Sequence, residues 1–201
     1  MFTGIIQQQG VIKKKTAAYL QIEAAARLVE QLSLGESIAV DGVCLTVSKI
    51  PTPTTFTADV MSETARRTTL GNLRVGGCVN LELPMKADGR FGGHMVQGHI
   101  DGTATLRSIR HSGNSHIFSF DTDESLLAYM VEKGSVAING ISLTVISVSG
   151  GGFSVGIIPH TKKRTTLARA EVGGVVNVEV DMVAKYIYKF SRASIKNRYE
   201  K

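Results

Sequence analysis

The sequence repeats itself at an interval of 97 or 98 residues, and this duplication limits the fold more than any other feature. Residues 37–47 (SIAVDGVCLTV) match residues 135–145 (SVAINGISLTV) position for position. A second match pairs residues 64–82 with residues 161–179, including a shared Arg-Thr-Thr-Leu. A constant period of this size indicates two copies of one folding unit. The chain is therefore predicted to form two domains, each large enough to have its own core.

Each copy has the pattern of short β-strands. Apolar runs flank Asp41-Gly42 in the first copy and Asn139-Gly140 in the second, which is a strong signal for a β-hairpin. Glycine pairs precede the last predicted strand of both copies, and residues 24–32 and 124–131 each have the pattern of a short helix. Six strands and a short helix in fewer than about 100 residues favour a small closed barrel, since closure removes exposed sheet edges. The fold class is therefore predicted to be all-β, with two tandem six-stranded antiparallel barrels.

The polar segment 86–93 is predicted to separate the domains. This places the first barrel at residues 1–87, the second at 94–182 and a terminal helix at 183–201. Apolar side chains recur at helical spacing in that last segment, with a basic outer face; they are Val183, Tyr186, Ile187, Phe190 and Ser194 as a weaker member. This stripe either packs in a symmetric oligomer or folds back on its own barrel.

Composition excludes several classes of function. Two cysteines, with no leader pattern and no apolar run of membrane-spanning length, predict a reduced cytoplasmic protein without a membrane partner. The net charge of +6 lies largely in residues 13–15, 162–164 and 185–201, with few interleaved aromatic residues and no recognisable nucleic-acid-binding module, so nucleic acid is not predicted as a partner. His94 and His99 lie five residues apart, but no third ligand completes a metal site.

The positions at which the copies differ are the candidates for function. Cys44 aligns with Ser142, and Ile5 aligns with His99 when Gly4 is matched to Gly98. A cysteine on a strand is more often a packing residue than a nucleophile, and a single histidine is either structural or a proton carrier. The segments MSET at 61–64 and IPHT at 158–161 also differ. Their hydroxyl and carboxylate groups fit a polyol site, or ordinary turn and cap chemistry.

At these residues the sequence resembles the riboflavin synthase family. The resemblance rests on MFTGI at 1–5, GVCLTV at 42–47, GGHMVQGH at 92–99, ISLTV at 141–145 and the two Arg-Thr-Thr-Leu segments. It implies Greek-key barrels, a C-terminal helix and a homotrimer held mainly by those helices. It also implies a dismutation without metal or organic cofactor. Two molecules of 6,7-dimethyl-8-ribityllumazine exchange a four-carbon unit, giving riboflavin and 5-amino-6-(D-ribitylamino)uracil. An association with lumazine synthase is left open.

The resemblance further implies a ligand on each barrel, one giving and one receiving the four-carbon unit. For the first barrel it implies contacts from Gly4, Ile5, Ile6, Cys44, Leu45, Thr46, Asp59, Val60, Met61, Ser62, Glu63 and Thr64. For the second barrel it implies contacts from Gly98, His99, Ile100, Lys133, Ser142, Leu143, Thr144, Gly156, Ile157, Ile158, Pro159, His160 and Thr161.

The family's chemistry requires removal of a proton from the acidic 7-methyl group of the lumazine. His99 is the candidate base or relay, because imidazole suits proton transfer near neutral pH. Ser142, Thr144 and Asp181 are expected to orient the second ligand, and Lys133 to offset its negative charge. Cys44 is either a transient nucleophile or a hydrogen-bonding wall. The wall is favoured, because nothing adjacent in sequence activates the thiol.

Three positions stand apart from the resemblance. His160 occupies a position where some members of the family have Glu, which weakens any role for a carboxylate there. His111 and His116 fall in a polar segment around Gly113-Asn114 that is expected to be an exposed loop without a role in the family's reaction.

Two other functions share this pattern. Lumazine-binding antenna proteins of luminous bacteria have the same fold without turnover, and a flavin-binding barrel occurs in some oxidoreductases. The oxidoreductase interpretation lacks a dinucleotide glycine fingerprint. The antenna interpretation predicts altered catalytic positions, whereas this chain has Cys44, His99 and Ser142 together.

Overall fold

The structure is a computed structural model that describes the backbone of residues 1–199 and the side chains of residues 1–192. Two closed antiparallel barrels of six strands follow one another along the chain. In the first barrel the strand order is β1-β2-β5-β4-β3-β6, with β1 Gln8–Lys15, β2 Tyr19–Glu23, β3 Ser37–Val40, β4 Val43–Thr52, β5 Thr55–Asp59 and β6 Cys78–Glu82. In the second barrel the order is β10-β11-β8-β7-β12-β9, with β7 Gly102–Ser112, β8 Ser115–Asp121, β9 Ser135–Ile138, β10 Ile141–Ser149, β11 Gly152–Ile157 and β12 Val175–Val180.

These barrels confirm the predicted all-β class. Alternate residues of each strand point inward, so that Leu20 and Ile22 of β2 are buried in the first core while their neighbours are partly exposed. In the second core the rings of Phe120 and Phe153 stack with centroids 5.4 Å apart. Each barrel thus has its own hydrophobic centre.

Helices are short except at the C-terminus. They are α1 Ala26–Val29, α2 Ser62–Arg67, α3 Glu124–Leu127, α4 Pro159–Arg164 and α5 Met182–Tyr199, with 3₁₀ turns at Thr69–Asn72 and Thr166–Arg169. The predicted helices at 24–32 and 124–131 exist, but each is only a single turn. Leu28, Val29 and Leu126 are buried, so packing on the barrels, rather than helix length, stabilises these turns.

The predicted hairpins at Asp41-Gly42 and Asn139-Gly140 are confirmed. Both residues of each turn have positive φ, 45° and 78° in the first and 45° and 77° in the second, as a type I′ turn requires. The two turns also meet. A Cβ atom on Gly42 would lie 2.5 Å from the backbone nitrogen of Gly140, so only glycine permits this approach.

Two buried asparagines connect the barrels across this contact. Nδ2 of Asn177 donates to the carbonyl of Asp41 at 2.9 Å, and Nδ2 of Asn80 donates to the carbonyl of Asn139 at 3.0 Å. Each asparagine Oδ1 accepts from a backbone N–H of the opposite copy's Thr-Thr-Leu segment, at 2.8 Å in both cases. The shared motifs therefore hold the barrels together about an approximate twofold axis.

Helix α5 packs on the second barrel through only one of its sides. Tyr188 contacts Tyr129 with ring centroids 4.8 Å apart, and Lys185 forms an ion pair with Asp101 at 2.6 Å. The predicted stripe faces solvent instead, with Val183 51%, Tyr186 56%, Ile187 64% and Phe190 65% exposed. The helix therefore folds back on its own barrel, as one of the two alternatives expected, but more than half of the surface of each stripe residue stays exposed. The side chain of Ser194 and residues 200 and 201 lie outside the described part of the chain.

Within the described residues, no helix combines the length and apolar character needed to span a membrane.

Candidate active site

Two extended segments cross between the barrels and approach the strands that carry Cys44 and Ser142. Phe2 and Val96 pair as an antiparallel bridge, and the backbone N–H of His94 donates to the carbonyl of Thr3 at 3.1 Å, so residues 2–5 run antiparallel to residues 92–96. From this bridge, residues 2–6 lead to the second barrel and residues 96–100 lead to the first. The carbonyl of Gly4 accepts from the backbone N–H of Ser142 at 2.8 Å, and that of Gly98 accepts from Cys44 at 2.9 Å. The segment at the start of the first copy therefore extends the outer surface of the second barrel, and the segment at the start of the second copy extends that of the first barrel.

The two crossing points require glycine. Gly4 has φ of 77° and Gly98 has φ of 83°, in the left-handed region that glycine enters without strain. A Cβ on Gly4 would lie 2.6 Å from Cβ of Ser142, and a Cβ on Gly98 would lie 2.5 Å from Cβ of Cys44. These approaches are tighter than side chains tolerate, so the backbone itself forms one wall of each site.

The crossing corrects the expected division of residues between the barrels. Gly4, Ile5 and Ile6 were assigned to the first barrel and Gly98, His99 and Ile100 to the second, but Ile6 packs against the second core and Ile100 against the first. Aligning the copies identifies equivalent segments, but it does not reveal that each segment reaches across the twofold axis. The candidate sites therefore combine Cys44 with residues 98–100 and Ser142 with residues 4–6.

Buried carboxylates anchor both crossing segments. Glu82 accepts from the backbone N–H groups of Thr3 and Gly4 at 2.7 and 3.0 Å. Glu179 accepts from those of Gly98 and His99 at 2.9 and 3.1 Å. Burial raises the pKa of both carboxyls, and the backbone hydrogen bonds partly oppose that shift. The segments are thereby fixed at the twofold axis by matched interactions.

The site on the first barrel is centred on β4. Cys44 is a half-buried free thiol, and Thr46 is exposed beside Asp59 of β5, its partner in the strand register. The ring of His99 is exposed, and none of its side-chain atoms has a hydrogen-bond partner among the described residues. This surface presents a thiol, a hydroxyl, a carboxylate and an imidazole.

The site on the second barrel contains a histidine that sequence comparison did not select. Nδ1 of His94 lies 2.7 Å from Oγ of Ser142. Burial lowers the pKa of His94, while the negative charge of Asp181 partly opposes that shift, so the environment favours the neutral ring. Its Nε2 is buried and has no hydrogen-bond partner within the described residues. His94 has no counterpart in the first copy, so a search for differences between copies passed over it.

Lys133 has an unusual backbone conformation. Its φ is 66°, and its N–H donates to the carbonyl of Val145 at 2.9 Å. The equivalent residue of the first copy is Gly35, with φ of 82° and the same hydrogen bond to Val47 at 2.8 Å. A lysine in this conformation costs about 1 kcal/mol relative to glycine. Such strain at an exposed position often accompanies function.

Asp181 has a structural contact of its own. Its Oδ1 accepts from the backbone N–H of Val183 at 2.9 Å, at the first turn of α5. The carboxylate therefore stabilises the start of the helix in addition to acting on His94 through its charge.

The other expected contacts fall into two groups. The side chains of Leu45, Val60, Leu143 and Ile157 are inside the cores, so they offer only backbone atoms to a ligand. Exposed or partly exposed positions are Thr144, Gly156 and the residues that lead into or begin α2 and α4, namely Met61, Ser62, Glu63, Thr64, Ile158, Pro159, His160 and Thr161. The described residues contain no group of three or more His, Cys, Asp or Glu side chains that could hold a metal ion.

Comparison with known proteins agrees with this arrangement. The sequence profile of the lumazine binding domain matches twice, at residues 3–84 and 97–181. In fold, the chain is similar to LumP, whose crystal structure contains 6,7-dimethyl-8-(1'-D-ribityl) lumazine. The TM-score is 0.79 at 27% identity, covering 90% of this chain and 99% of LumP. The protein is thus a tandem lumazine-binding-domain protein.

Similarity in sequence defines the family more narrowly. The chain is 48% identical over 194 residues to the riboflavin synthase of Actinobacillus pleuropneumoniae, covering 94% of this chain and 89% of that protein. It is 41% identical over 201 residues to the riboflavin synthase of Bacillus subtilis, covering 98% and 93%. The chain belongs to the riboflavin synthase family.

Proposed function

We propose that this riboflavin synthase binds two molecules of 6,7-dimethyl-8-ribityllumazine at unlike sites and transfers a four-carbon unit between them. The products are riboflavin and 5-amino-6-(D-ribitylamino)uracil. One observation supports this above all others: the same backbone crossing forms both sites, with Cys44 at one and Ser142 at the other. Similar walls suit identical ligands, and different side chains suit the donor and acceptor roles.

At the first-barrel site, His99 is proposed as the proton carrier and Cys44 as a wall of the pocket. His99 follows Gly98, whose carbonyl holds the strand of Cys44, so both side chains border one surface. The ring is exposed and therefore accessible to a ligand. The thiol has no neighbouring cation in an ion pair or hydrogen bond among the described residues, which favours a role as a wall over that of a nucleophile.

At the second-barrel site, His94 is proposed as a positioning residue for Ser142. A neutral imidazole at 2.7 Å accepts the hydroxyl proton or donates to its oxygen, and either bond holds the hydroxyl in one orientation. Lys133 is proposed to offset negative charge on the bound lumazine, because lysine is retained there despite backbone strain. Thr144 would add a second hydroxyl on β10.

Incubating the full chain with the lumazine alone tests the reaction. Riboflavin absorbance should appear without any added metal or cofactor. Binding without conversion would contradict the proposal and favour the antenna function, which the higher identity to riboflavin synthases, 48% against 27% for LumP, already disfavours.

Substitution of the two histidines separates their roles. His99→Ala should lower kcat about 100-fold or more with little change in KM, as expected for loss of proton transfer. His94→Ala should also lower kcat, whereas His94→Asn should recover part of it, since the Asn side chain can occupy the position of Nδ1. Equal activity of the Ala and Asn variants would contradict a positioning role for His94.

A homotrimer is proposed as the working assembly, with the exposed stripe on α5 as its contact. Val183, Tyr186 and Ile187 expose large apolar surface, and Val183 and Ile187 line a groove of about 360 Å³ together with Tyr129 and Val131 of the barrel. Ile187→Lys should lower the mass measured by light scattering to that of a monomer and reduce activity. An unchanged mass would contradict this interface.

A further inference from the structure

Three basic side chains meet at one corner of the second barrel, outside the contacts described so far. His111 of β7 and His116 of β8 are direct partners in the strand register, with ring centroids 4.3 Å apart. They were expected in a loop, but they lie in paired strands on either side of the Gly113-Asn114 turn. Nζ of Lys162, on α4, lies 3.1 Å from Nε2 of His116. A β-hairpin and a helix thus present three nitrogen-bearing groups together.

The first barrel shows that this cluster is not needed for folding. Continuing the β1–β2 register beyond Lys15 and Leu20 places Ala17 and Ala18, which lie in the turn between these strands, where the second copy has His111 and His116. The alignment of the repeats places Ala65 where the second copy has Lys162. A cavity of about 690 Å³ lies at that corner of the first barrel, and its lining includes Ala17 and Ala65. The same scaffold therefore closes without any of the three basic side chains.

The arrangement favours a negatively charged ligand. A protonated Lys162 donates to Nε2 of His116, which leaves the ring proton on Nδ1. That Nδ1 is shielded from solvent and has no acceptor among the described residues. Partial desolvation and the positive charges of Lys162 and His111 lower the pKa of His116. No carboxylate forms an ion pair with any of the three groups in the described part of the chain, so their charge is not balanced from within.

We propose that His111, His116 and Lys162 form a binding site for a phosphate group. The ammonium of Lys162 supplies a charge-assisted donor to a phosphate dianion, and the imidazoles of His111 and His116 border the same position. A metal cation is disfavoured, because the site has positive charge and no carboxylate ligand. This site is independent of the proposed reaction, because it can be occupied without turnover.

The position of the His111, His116 and Lys162 cluster in the fold leaves two candidate sources for the phosphate group. His116 pairs with Ile157 of β11, and Lys162 follows Thr161, so the cluster borders the segment implied for the second-barrel ligand. The phosphate group therefore belongs either to a phosphorylated ribityl ligand, such as flavin mononucleotide, or to free inorganic phosphate.

Titrating the full chain with inorganic phosphate at constant ionic strength and about pH 7 tests the site, with the imidazole C–H signals followed by NMR. Saturable shifts of the His111 and His116 signals are expected. The double variant His116→Ala, Lys162→Ala should bind about 10-fold or more weakly, since it loses the charge-assisted donor of Lys162 and the imidazole beside it. It should remain folded, because the first copy has alanine at both equivalent positions. Lys163→Ala, which removes the same charge from an exposed neighbour on α4, is the matched control and should bind like the parent.

Comparing the affinity for flavin mononucleotide with the affinity for riboflavin distinguishes the two sources of the phosphate group. Tighter binding of the phosphorylated flavin, with that preference lost in the double variant, assigns the site to a phosphorylated ribityl ligand. Saturable binding of inorganic phosphate without that preference assigns it to free phosphate. Shifts that do not saturate, or that are the same in the parent and the double variant, would overturn the proposal, whether or not the lumazine is converted.

Discussion

Replacing Asp41 by Asn is expected to make the protein more stable above neutral pH. Asp41 lies in the β3–β4 turn at the contact between the barrels and is 4% exposed. Desolvation raises the pKa of its carboxyl to about 7 from an ordinary 3.8, although a backbone hydrogen bond from Asn80 opposes the shift. The second copy has Asn139 at this position, and both side chains accept a hydrogen bond from a backbone N–H. Oδ1 of Asp41 accepts from Asn80 at 2.8 Å, and Oδ1 of Asn139 accepts from Asn177 at 2.7 Å. An asparagine therefore fits the turn.

The size and sign of the effect follow from proton linkage. The folded state holds the proton of Asp41 more tightly than the unfolded chain does. The stabilisation that the proton on Asp41 contributes is therefore fully present below about pH 3.8 and is lost as the pH rises through about 7. The slope is about 1.4 kcal/mol per pH unit, so ionising the buried carboxyl costs about 4 kcal/mol once the pH exceeds 7. Asn stays neutral and avoids this cost.

Urea unfolding of the unsubstituted parent and the Asp41→Asn variant at about pH 5 and about pH 9 measures the cost of ionising Asp41. The free energy of unfolding of the parent should fall by about 3 kcal/mol more than that of the variant between those pH values. Asp88→Asn, which removes a carboxylate from the exposed segment between the barrels, is the control and should behave like the parent. Asn139→Asp should add a second pH-dependent loss. An identical pH dependence of the parent and Asp41→Asn would refute the reasoning.

Two further substitutions test the site through the backbone. Lys133→Gly should raise the free energy of unfolding by about 1 kcal/mol, because it relieves a left-handed lysine, while raising KM for the lumazine; unchanged kinetics would remove Lys133 from the site. Gly98→Ala should destabilise the fold more than Gly76→Ala, as measured by urea unfolding. Both residues have φ above 80°, but only Gly98 would place its Cβ against Cys44, so equal losses would contradict the importance of that contact.

Much of the fold was predictable because it depends on local patterns. The repeat indicated two barrels, and the Asp41-Gly42 and Asn139-Gly140 signals located hairpins, since positive φ at both turn positions requires such residues. The short helices were predicted too long, because burial of one turn against a barrel, rather than helical periodicity, sets their length.

The candidate site was less predictable, because its contacts are long-range. Ser142 and Cys44 were selected as differences between the copies, and the structure places each at a glycine crossing. His94 was passed over in favour of His99, since the copy comparison has no counterpart for it. Only the folded chain brings the His94 ring to Ser142, 48 residues away in sequence.

The sequence by itself determined the duplication, the strand periodicity and the glycines that let two turns and two segments approach closely. These properties depend on side-chain pattern and on the φ angles that each residue tolerates. Only the tertiary structure decided which barrel each crossing segment serves, which histidine meets Ser142 and which side of α5 stays exposed. Those outcomes depend on the packing of two similar barrels about a twofold axis, a relation between distant residues that no local pattern encodes.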